Sequence, residues 1–414
     1  MSQESGIFAG LKVIDCASFL AAPGATTILS DFGADVVKVE PPGVGDPNRY
    51  TYRVPPNPLS AKNYYWQLTN RNKRSMALNL KSQGGADVMQ RLIQSADVFV
   101  INFPPHVVKA LGLTYEDVSR VNPKIIYADL TGYGEHGPES NKPGYDLTAF
   151  WARTGLMDAI RAAGSPPALP VPGSGDQATA TTLYSAIVTG LYRREKTGMG
   201  CHVSTSLIAA GAWSAGAWLQ AALDGAKFSG LIDRSHPPNA LANPYQTSDK
   251  RWLLLLMVQA DKEWPAFVEA IGRPELLQDP LYADSKLRTA NAASLVQILD
   301  AVFLTKPMEY WRTLLDQAHI TFAAVQTVEE LAHDPQLFAN DLLRPIQDGD
   351  ATPSLTIDSP LHVHQAQKVS PRPAPSLGQH TFEVLAELGY DSAAIDKLQA
   401  DGAIPPMERK ELVS

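Results

Sequence analysis

Short apolar runs alternate with helical segments through the first 130 residues, and this alternation constrains the fold more than any other feature of the sequence. Residues 11–15 and 36–39 are apolar runs of strand length, and the segment between them has helical spacing that ends at Gly33. A strand, a helix and a second strand in this order form a parallel pair with a right-handed crossover. The pattern recurs, with strands predicted at 75–80, 98–101 and 125–129 and a helix at 84–95. The sequence therefore predicts an α/β fold with a mostly parallel sheet.

The middle of the chain differs from this first part. Residues 178–223 are rich in alanine and helical in pattern, with an interruption at 197–200, and the composition changes after residue 225. We therefore expect a second, smaller α+β domain over residues 226–335. Its predicted elements are a strand at 252–257 and amphipathic helices at 262–271, 292–304 and 308–317.

The C-terminal segment begins with a poor core element. Residues 360–375 are rich in proline and are predicted to form an extended linker. Short helices are expected at 381–388, 393–401 and 408–412.

Charge and cysteine content exclude several classes of function. The chain carries 35 Lys and Arg against 43 Asp and Glu, a net charge of −8, so we expect no nucleic-acid partner and no membrane association. The longest apolar runs are far shorter than the roughly 20 residues that cross a bilayer. No signal peptide is apparent, and the two cysteines, Cys16 and Cys201, form no disulfide framework. A reducing, cytoplasmic location is expected.

The turn after the first strand lacks the glycines of a dinucleotide-binding site. Residues 17–24 have the sequence ASFLAAPG, without the G-x-G-x-x-G pattern, so NAD is not expected. No spacing of His, Cys or acidic residues matches a metal-binding motif, so no metal is predicted.

Three segments contain residues suited to chemistry. The basic cluster NRNKR at 70–74 is either a phosphate-binding loop or a solvated one. The glycine-rich segment GYGEHGP at 132–138 follows a predicted strand, where α/β proteins usually bind ligands, or is only a tight turn. The segment GSGDQ at 173–177 places Asp176 ahead of a long helix, either as a functional carboxylate or as an N-cap.

The order of these segments resembles that of the family III CoA-transferases, which include formyl-CoA transferase, carnitine CoA-transferase and α-methylacyl-CoA racemase. The resemblance covers nearly the whole chain and is looser in its C-terminal half. It is carried by LKVID at 11–15, APG at 22–24, FGADVVKVE at 32–40, NKRS at 72–75, NFP at 102–104, GYGEHGP at 132–138, GYD at 144–146, GD at 175–176, REKTGMG at 194–200 and NPY at 243–245.

The resemblance implies an architecture and a set of partners. It implies a Rossmann-like large domain formed from residues 1–225 and 336–414, a small domain at 226–335, and an interlocked homodimer. It implies acyl-CoA and carboxylic acid substrates, with no permanently bound cofactor. The activity implied is transfer of CoA between acids through aspartyl anhydride and aspartyl-CoA intermediates.

The resemblance also implies roles for individual residues. Asp176 takes the position of the catalytic nucleophile. The residues expected near the reacting carbon are Tyr145, Leu20, Gly175 and Gln177. The residues expected to bind CoA are Ala21, Lys38, Lys73, Arg74, Asn102, Phe103 and Lys109.

Two other functions stay open at this stage. An acyl-CoA racemase moves an α-proton and needs a second acid–base group, but Tyr145 stands where the racemases of the family have histidine. A CoA-binding protein without turnover would use Asp176 only as a helix cap. Leu20 stands where formyl-CoA transferase has glutamine, which counts against exchange between formyl-CoA and oxalate. The aromatic residues nearby indicate either an apolar acyl pocket or ordinary core, and these are Phe19, Phe150 and Trp151.

Overall fold

The computed structural model describes residues 6–228, 230–348 and 354–406, and the chain divides into two compact units. The larger unit comprises residues 1–157, 169–225 and 336–414, and the smaller comprises 158–168 and 226–335. The helix predicted at 408–412 lies outside the described residues. In the described ranges, no helix has both the length and the apolar character needed to cross a membrane.

A six-stranded, fully parallel sheet forms the centre of the larger unit. Its strand order is 3-2-1-4-5-6, the order of doubly wound nucleotide-binding folds, whose ligand crevice lies where the order reverses. Here that point lies between the first and fourth strands. The strands are β1 Lys12–Cys16, β2 Asp35–Glu40, β3 Arg74–Ala77, β4 Val98–Ile101, β5 Ile126–Thr131 and β6 Cys201–Ser206.

Both faces of this sheet are covered by helices, so its central strands are apolar on both sides. In β4, Val98 and Val100 belong to one buried cluster, whereas Phe99 and Ile101 belong to the cluster on the opposite face. The helices up to residue 223 are α1 Ala21–Asp31, α2 Asn48–Thr51, α3 Tyr64–Asn70, α4 Gln83–Ser95, α5 Pro105–Ala110, α6 Tyr115–Val121, α7 Leu156–Ala159, α8 Ser174–Thr197, α9 Leu207–Ser214 and α10 Gly216–Leu223, with a π-helix at Asp146–Ala152.

The predicted interruption at 197–200 is where helix α8 ends, but the helical pattern expected directly after it was wrong over residues 201–206. Helix α8 ends where Gly198 adopts a φ of +71°, and the chain then forms strand β6 instead of another helix. A Cβ on Gly200 would lie 2.1 Å from the backbone oxygen of Ile125, so only glycine allows the chain to pass this close to β5. Val203 and Thr205 in β6 are β-branched residues that favour a strand.

The smaller unit has its own antiparallel sheet and its own core. Its strands are β7 Ala242–Gln246, β8 Trp252–Leu256 and β9 Phe322–Ala324, in the order 7-8-9. The buried side chains of Phe267, Leu295 and Phe303 lie at the centre of that core. The helices are α11 Ala260–Ala270, α12 Ser285–Ala290, α13 Ala292–Phe303, α14 Met308–Gln317 and α15 Val328–Leu331, with a 3₁₀ helix at Pro274–Leu277.

The last part of the chain returns to the larger unit. The proline-rich segment contains neither helix nor strand in the described residues apart from one isolated bridge, and Trp66 Nε1 donates to the Pro375 carbonyl at 2.9 Å. Val384, Leu385 and Leu398 complete the cluster that contains Phe99 and Ile101. The remaining elements are α16 Pro335–Ala339, β10 Leu343–Pro345, β11 Leu355–Ile357, α17 Thr381–Glu387 and α18 Ser392–Ala400.

Candidate active site

A cavity of about 640 Å³ opens at the carboxyl ends of β1, β4 and β5 in the larger unit. This is the edge of the sheet at which its strand order reverses, where folds of this type bind ligands. The lining comes mainly from the segments that follow these strands and from the start of α8, with Asn48, Thr51, Asn57 and Tyr65 added from the segment after β2. It includes residues 18–21, 102–106, 130–132, 140–148, Pro172, Gly173 and Asp176.

Asn102 ties the loop after β1 to the loop after β4. Its side-chain oxygen accepts from the Ser18 N–H at 2.8 Å, and its side-chain nitrogen donates to the Ser18 carbonyl at 2.8 Å. The next residue, Phe19, has a φ of +65°, and its N–H donates to Asp46 Oδ1 at 3.1 Å. A non-glycine residue in this region costs about 1–3 kcal/mol and persists only where the surroundings hold it. Asn102 and Asp46 provide that restraint.

Asp176 lies in the first turn of α8, partly exposed, in the lining of the cavity. In the described part of the chain its carboxylate accepts no hydrogen bond, and the N-cap of α8 is Gly173. The structure therefore does not support a helix-capping role for Asp176. Burial, together with the nearby charge of Asp146, raises the pKa of Asp176 to about 7. At neutral pH this side chain exists in both protonation states.

Asp146 is the carboxylate that caps α8. Its Oδ2 accepts the Gly173 N–H at 2.6 Å, and its Oδ1 accepts the Asp176 N–H at 3.2 Å. The side chain is 6% exposed, and burial raises its pKa although these backbone bonds lower it. Sequence reasoning assigned no role to Asp146, because a contact across 30 residues has no local pattern. Asp146 therefore fixes the backbone that carries Asp176.

Gly175 is required by this arrangement. A Cβ on Gly175 would lie 2.3 Å from Asp146 Oδ1 and 2.4 Å from Phe150 Cγ, so any larger residue would displace one of them. Gly175 and Gln177 lie outside the lining of the cavity, although both were expected near the reacting carbon. Leu20 and Tyr145 do line it.

Tyr65 is a second lining residue that sequence reasoning missed. Its hydroxyl donates to Asn57 Oδ1 at 2.9 Å. Burial raises the pKa of Tyr65, as do the charges of Tyr64, Asp146 and Asp176, so this hydroxyl lies within the field of both carboxylates. The sequence YYW at 64–66 did not indicate a site residue, because aromatic residues usually belong to the core.

The residues expected to bind CoA separate into two groups. Ala21, Asn102 and Phe103 line the cavity. Lys109 is exposed on α5 outside the lining, and Arg74 is held by Asp35 at 2.6 Å and by two glutamates of α17.

Lys38 and Lys73 are buried and lie outside the lining of the cavity, contrary to the expectation that they bind CoA. Lys73 Nζ lies 2.8 Å from Asp15 Oδ2, and Lys38 Nζ lies 3.5 Å from Asp15 Oδ1 and 2.8 Å from Asp46 Oδ2. The pKa of Asp15 falls to about 2, because the two lysines outweigh the effect of burial, which alone would raise it. A buried carboxylate needs such partners. These lysines therefore neutralise Asp15 at the carboxyl end of β1.

The basic cluster at 70–74 is neither a solvated loop nor a phosphate site in this structure. Arg71 is buried and makes two bonds to Asp31, from Nε at 2.9 Å and from Nη2 at 2.6 Å. Together with Lys73 it neutralises acidic side chains of β1 and α1.

One group of possible metal ligands lies near the end of β5. Asp129, Glu135 and His202 have ligand atoms within 4.8 Å of one another. His202 Nε2 already forms a hydrogen bond with Asp129 Oδ1 at 2.6 Å, and its ring stacks on Tyr115. The imidazole is therefore held in place by Asp129 and Tyr115.

The chain is similar to known proteins in sequence and in fold. The family model described as CoA-transferase family III matches residues 8–381. The chain is 34% identical over 416 residues to the cinnamoyl-CoA:phenyllactate CoA-transferase of Clostridium sporogenes, covering 99% of this chain and 100% of that protein. It is 32% identical over 391 residues to the (R)-2-hydroxy-4-methylpentanoate CoA-transferase of Clostridioides difficile, covering 94% and 97%. The crystal structure of a CAIB/BAIF family protein from Brucella suis matches with a TM-score of 0.83 at 26% identity, covering 93% of this chain and 100% of that chain.

Proposed function

This chain belongs to CoA-transferase family III, and we propose that it moves CoA from an acyl-CoA to a free carboxylic acid through covalent intermediates on Asp176. The observation that supports this is the position of Asp176. Its carboxylate faces the cavity without a hydrogen-bond partner among the described residues, while Asp146 holds the backbone beneath it. A poorly solvated carboxylate held in place is suited to attack a carbonyl carbon.

The first half of the reaction transfers CoA to the protein. The ionised Asp176 carboxylate attacks the thioester carbonyl, the C–S bond breaks, and a mixed anhydride and CoA thiolate are formed. The thiolate then attacks the Asp176 carbonyl of the anhydride. This step releases the donor acid as a carboxylate and leaves an aspartyl-CoA thioester.

The second half repeats these steps in reverse with the acceptor acid. The acceptor carboxylate attacks the aspartyl thioester and forms a new anhydride, with CoA thiolate as the leaving group. The thiolate attacks the acceptor's carbonyl, which gives the new acyl-CoA and frees Asp176. Every step exchanges one activated acyl bond for another, so neither ATP nor a permanently bound cofactor is needed.

Residues of the cavity have proposed roles in this cycle. Ala21, Asn102 and Phe103 are proposed to bind CoA, because they line the cavity beside the crevice of the sheet. Leu20 and Tyr145 are proposed to border the reacting carbon. Lys109 is proposed as a surface contact for the CoA phosphates, since its ammonium group is exposed on α5.

We further propose that the chain acts as a homodimer, as its family resemblance implies. Trp213 of α9 is 87% exposed and Leu223 of α10 is 73% exposed. Exposed apolar residues on neighbouring helices are typical of protein interfaces. The domain boundaries proposed for this subunit lie near residues 225 and 335.

The covalent mechanism is tested by trapping with hydroxylamine. The protein is mixed with acetyl-CoA or 3-phenylpropanoyl-CoA and hydroxylamine, and its peptides are mapped by mass spectrometry. We expect a hydroxamate on Asp176, because hydroxylamine cleaves both the anhydride and the thioester. Asp176→Ala should give no hydroxamate, and Asp224→Ala, at an exposed position after α10, should be labelled like the native protein.

Absence of any hydroxamate with both thioesters would contradict the proposal. Exchange of the substrate α-proton with deuterium from the solvent, in the absence of an acceptor acid, would then indicate racemase chemistry instead.

A further inference from the structure

Two aromatic rings form an exposed pair in the lining of the Asp176 cavity. The rings of Phe19 and Tyr145 meet edge to face with centroids 5.8 Å apart, and these residues are 37% and 59% exposed. Leu20 also lines the cavity and lies beside the N-cap of α8, because a Cβ on Gly173 would lie only 2.9 Å from Leu20 Cδ1. The entry to α8, which carries Asp176, is therefore flanked by apolar side chains.

The position of Phe19 is not explained by core packing. Its ring belongs to none of the buried clusters of the larger unit, yet its backbone is held at a φ of +65° by the bond to Asp46. Strained residues of this kind concentrate at ligand sites, where the surroundings hold a side chain in place for a purpose other than packing. We therefore assign the ring to contact with the substrate.

The charges around Asp176 disfavour a second carboxylate on the substrate. Asp146 and Asp176 are both acidic, and Lys142 is the single lysine or arginine among the described residues of the lining. Lys142 Nζ is already paired with Glu139 Oε1 at 2.7 Å. His106 is the other lining residue able to carry a positive charge. A dicarboxylic acid would thus add negative charge beside two carboxylates without meeting an unpaired lysine or arginine.

We propose that the acids exchanged at Asp176 carry one carboxylate and a bulky apolar group, and that Phe19 selects them by packing against that group. The proposal rests on the function proposed above and narrows its substrate class. It separates acids such as 3-phenylpropanoate from succinate, which has a carboxylate in place of the phenyl ring and is otherwise the same molecule.

The test uses this matched pair in the first half-reaction, which needs no acceptor. Release of CoA from 3-phenylpropanoyl-CoA and from succinyl-CoA is followed by chromatography in the presence of hydroxylamine, with Asp176→Ala as the background. Each hydroxamate uses up one Asp176, so this release is a single turnover. We expect its second-order rate constant to be about 100-fold higher for the phenyl thioester, since apolar contacts and an unpaired polar group both discriminate at this scale. Phe19→Ala should lower the phenyl rate about tenfold and change the succinyl rate little.

Two further variants separate selection from damage to the fold. Phe338→Ala removes a phenyl ring of similar exposure, 42%, outside the lining of the cavity, and should leave both rates unchanged. Phe19→Arg should raise the succinyl-CoA rate, a gain that misfolding cannot produce.

The outcomes are distinct for the two proposals. Equal rates for the two thioesters with Asp176 still labelled, or an unchanged ratio in both Phe19 variants, would overturn the substrate class and leave the covalent mechanism standing. Failure of every thioester to label Asp176 would overturn the mechanism and this inference together.

Discussion

Replacing Asp146 with asparagine tests whether this carboxylate controls the ionisation and position of Asp176, the proposed nucleophile. The substitution keeps the shape of the side chain and removes its charge, which is one of two causes of the raised pKa of Asp176. It also changes an acceptor-only group into one that donates. Only one of the two backbone N–H groups, of Gly173 and Asp176, can then keep an oxygen partner.

The expected magnitudes follow from these contacts. The pKa of Asp176 rises from 3.8 to about 7, with burial the larger cause, so Asp146 accounts for less than half of the rise. In Asp146→Asn the pKa of Asp176 should therefore fall by about one unit. An unpaired buried N–H lowers the free energy of unfolding by about 1–3 kcal/mol. Removal of the buried charge partly offsets this, so we expect the variant to be less stable by about 1 kcal/mol. A displaced α8 terminus should slow acylation about 10–100-fold.

The assay is the pH dependence of the second-order rate constant for single-turnover release of CoA, measured with hydroxylamine saturating at every pH. In the proposed mechanism only ionised Asp176 attacks, so the native rate should rise with pH to a plateau, with a midpoint near the pKa of about 7. In Asp146→Asn the plateau should be lower and the midpoint should move to lower pH. Asp224→Asn is the control, and its profile should match the native one. A variant midpoint still near 7 would refute the electrostatic role of Asp146, and a native plateau would refute its positioning role.

Three more changes have defined outcomes. Asp176→Asn should raise the free energy of unfolding by about 2 kcal/mol at pH 8 and not at pH 4, because the folded state holds a proton that the unfolded state loses between about pH 4 and 7. Denaturant titrations at both pH values check this. Lys73→Met should lower the free energy of unfolding by about 3–5 kcal/mol, because the buried carboxylate of Asp15 loses one of its two lysine partners. The KM for acyl-CoA should stay at the native value, and a raised KM would indicate that Lys73 binds CoA. Gly175→Ala should abolish most activity, because its Cβ would displace Asp146 or Phe150. The control Gly216→Ala has open space around its Cβ, so it should stay active, and its free energy of unfolding should rise by about 0.5–1 kcal/mol.

The buried strands were the most predictable part of the fold. Strand β4 was placed at the correct residues, and β1 and β2 within one residue, because strands covered on both faces are nearly continuous apolar runs. Strand β6 was missed because it lies at the edge of the sheet and alternates polar and apolar residues. Residues 201–206 form a strand because they pair with β5, and the local composition does not reveal that pairing.

The site divides in the same way between local and distant determinants. Asp176 was assigned through motifs near it in the sequence, and it does lie in the lining of the cavity. Lys73 was assigned to CoA by the family resemblance. Its partner in the structure, Asp15, lies 58 residues away, and the sequence around Lys73 does not reveal that contact. Asp146 and Tyr65 were missed for the same reason. A basic residue can either pair with a buried carboxylate or bind a ligand, and the three-dimensional structure is needed to tell which of the two it does.

The larger unit is completed by residues near the end of the chain, and this has a consequence for synthesis on the ribosome. The N–H of Ala77 in β3 donates a hydrogen bond to Thr381 Oγ1, 304 residues later. Val384, Leu385 and Leu398 belong to the same buried cluster as Met76 of that strand. At about 5–20 residues per second, roughly 15–60 s of translation separate the two partners. Until then the early strands present an unfinished apolar face, whereas residues 226–335 emerge as one continuous stretch. The nascent chain should therefore depend on chaperones until residue 398 has left the exit tunnel, and truncations before that point should aggregate.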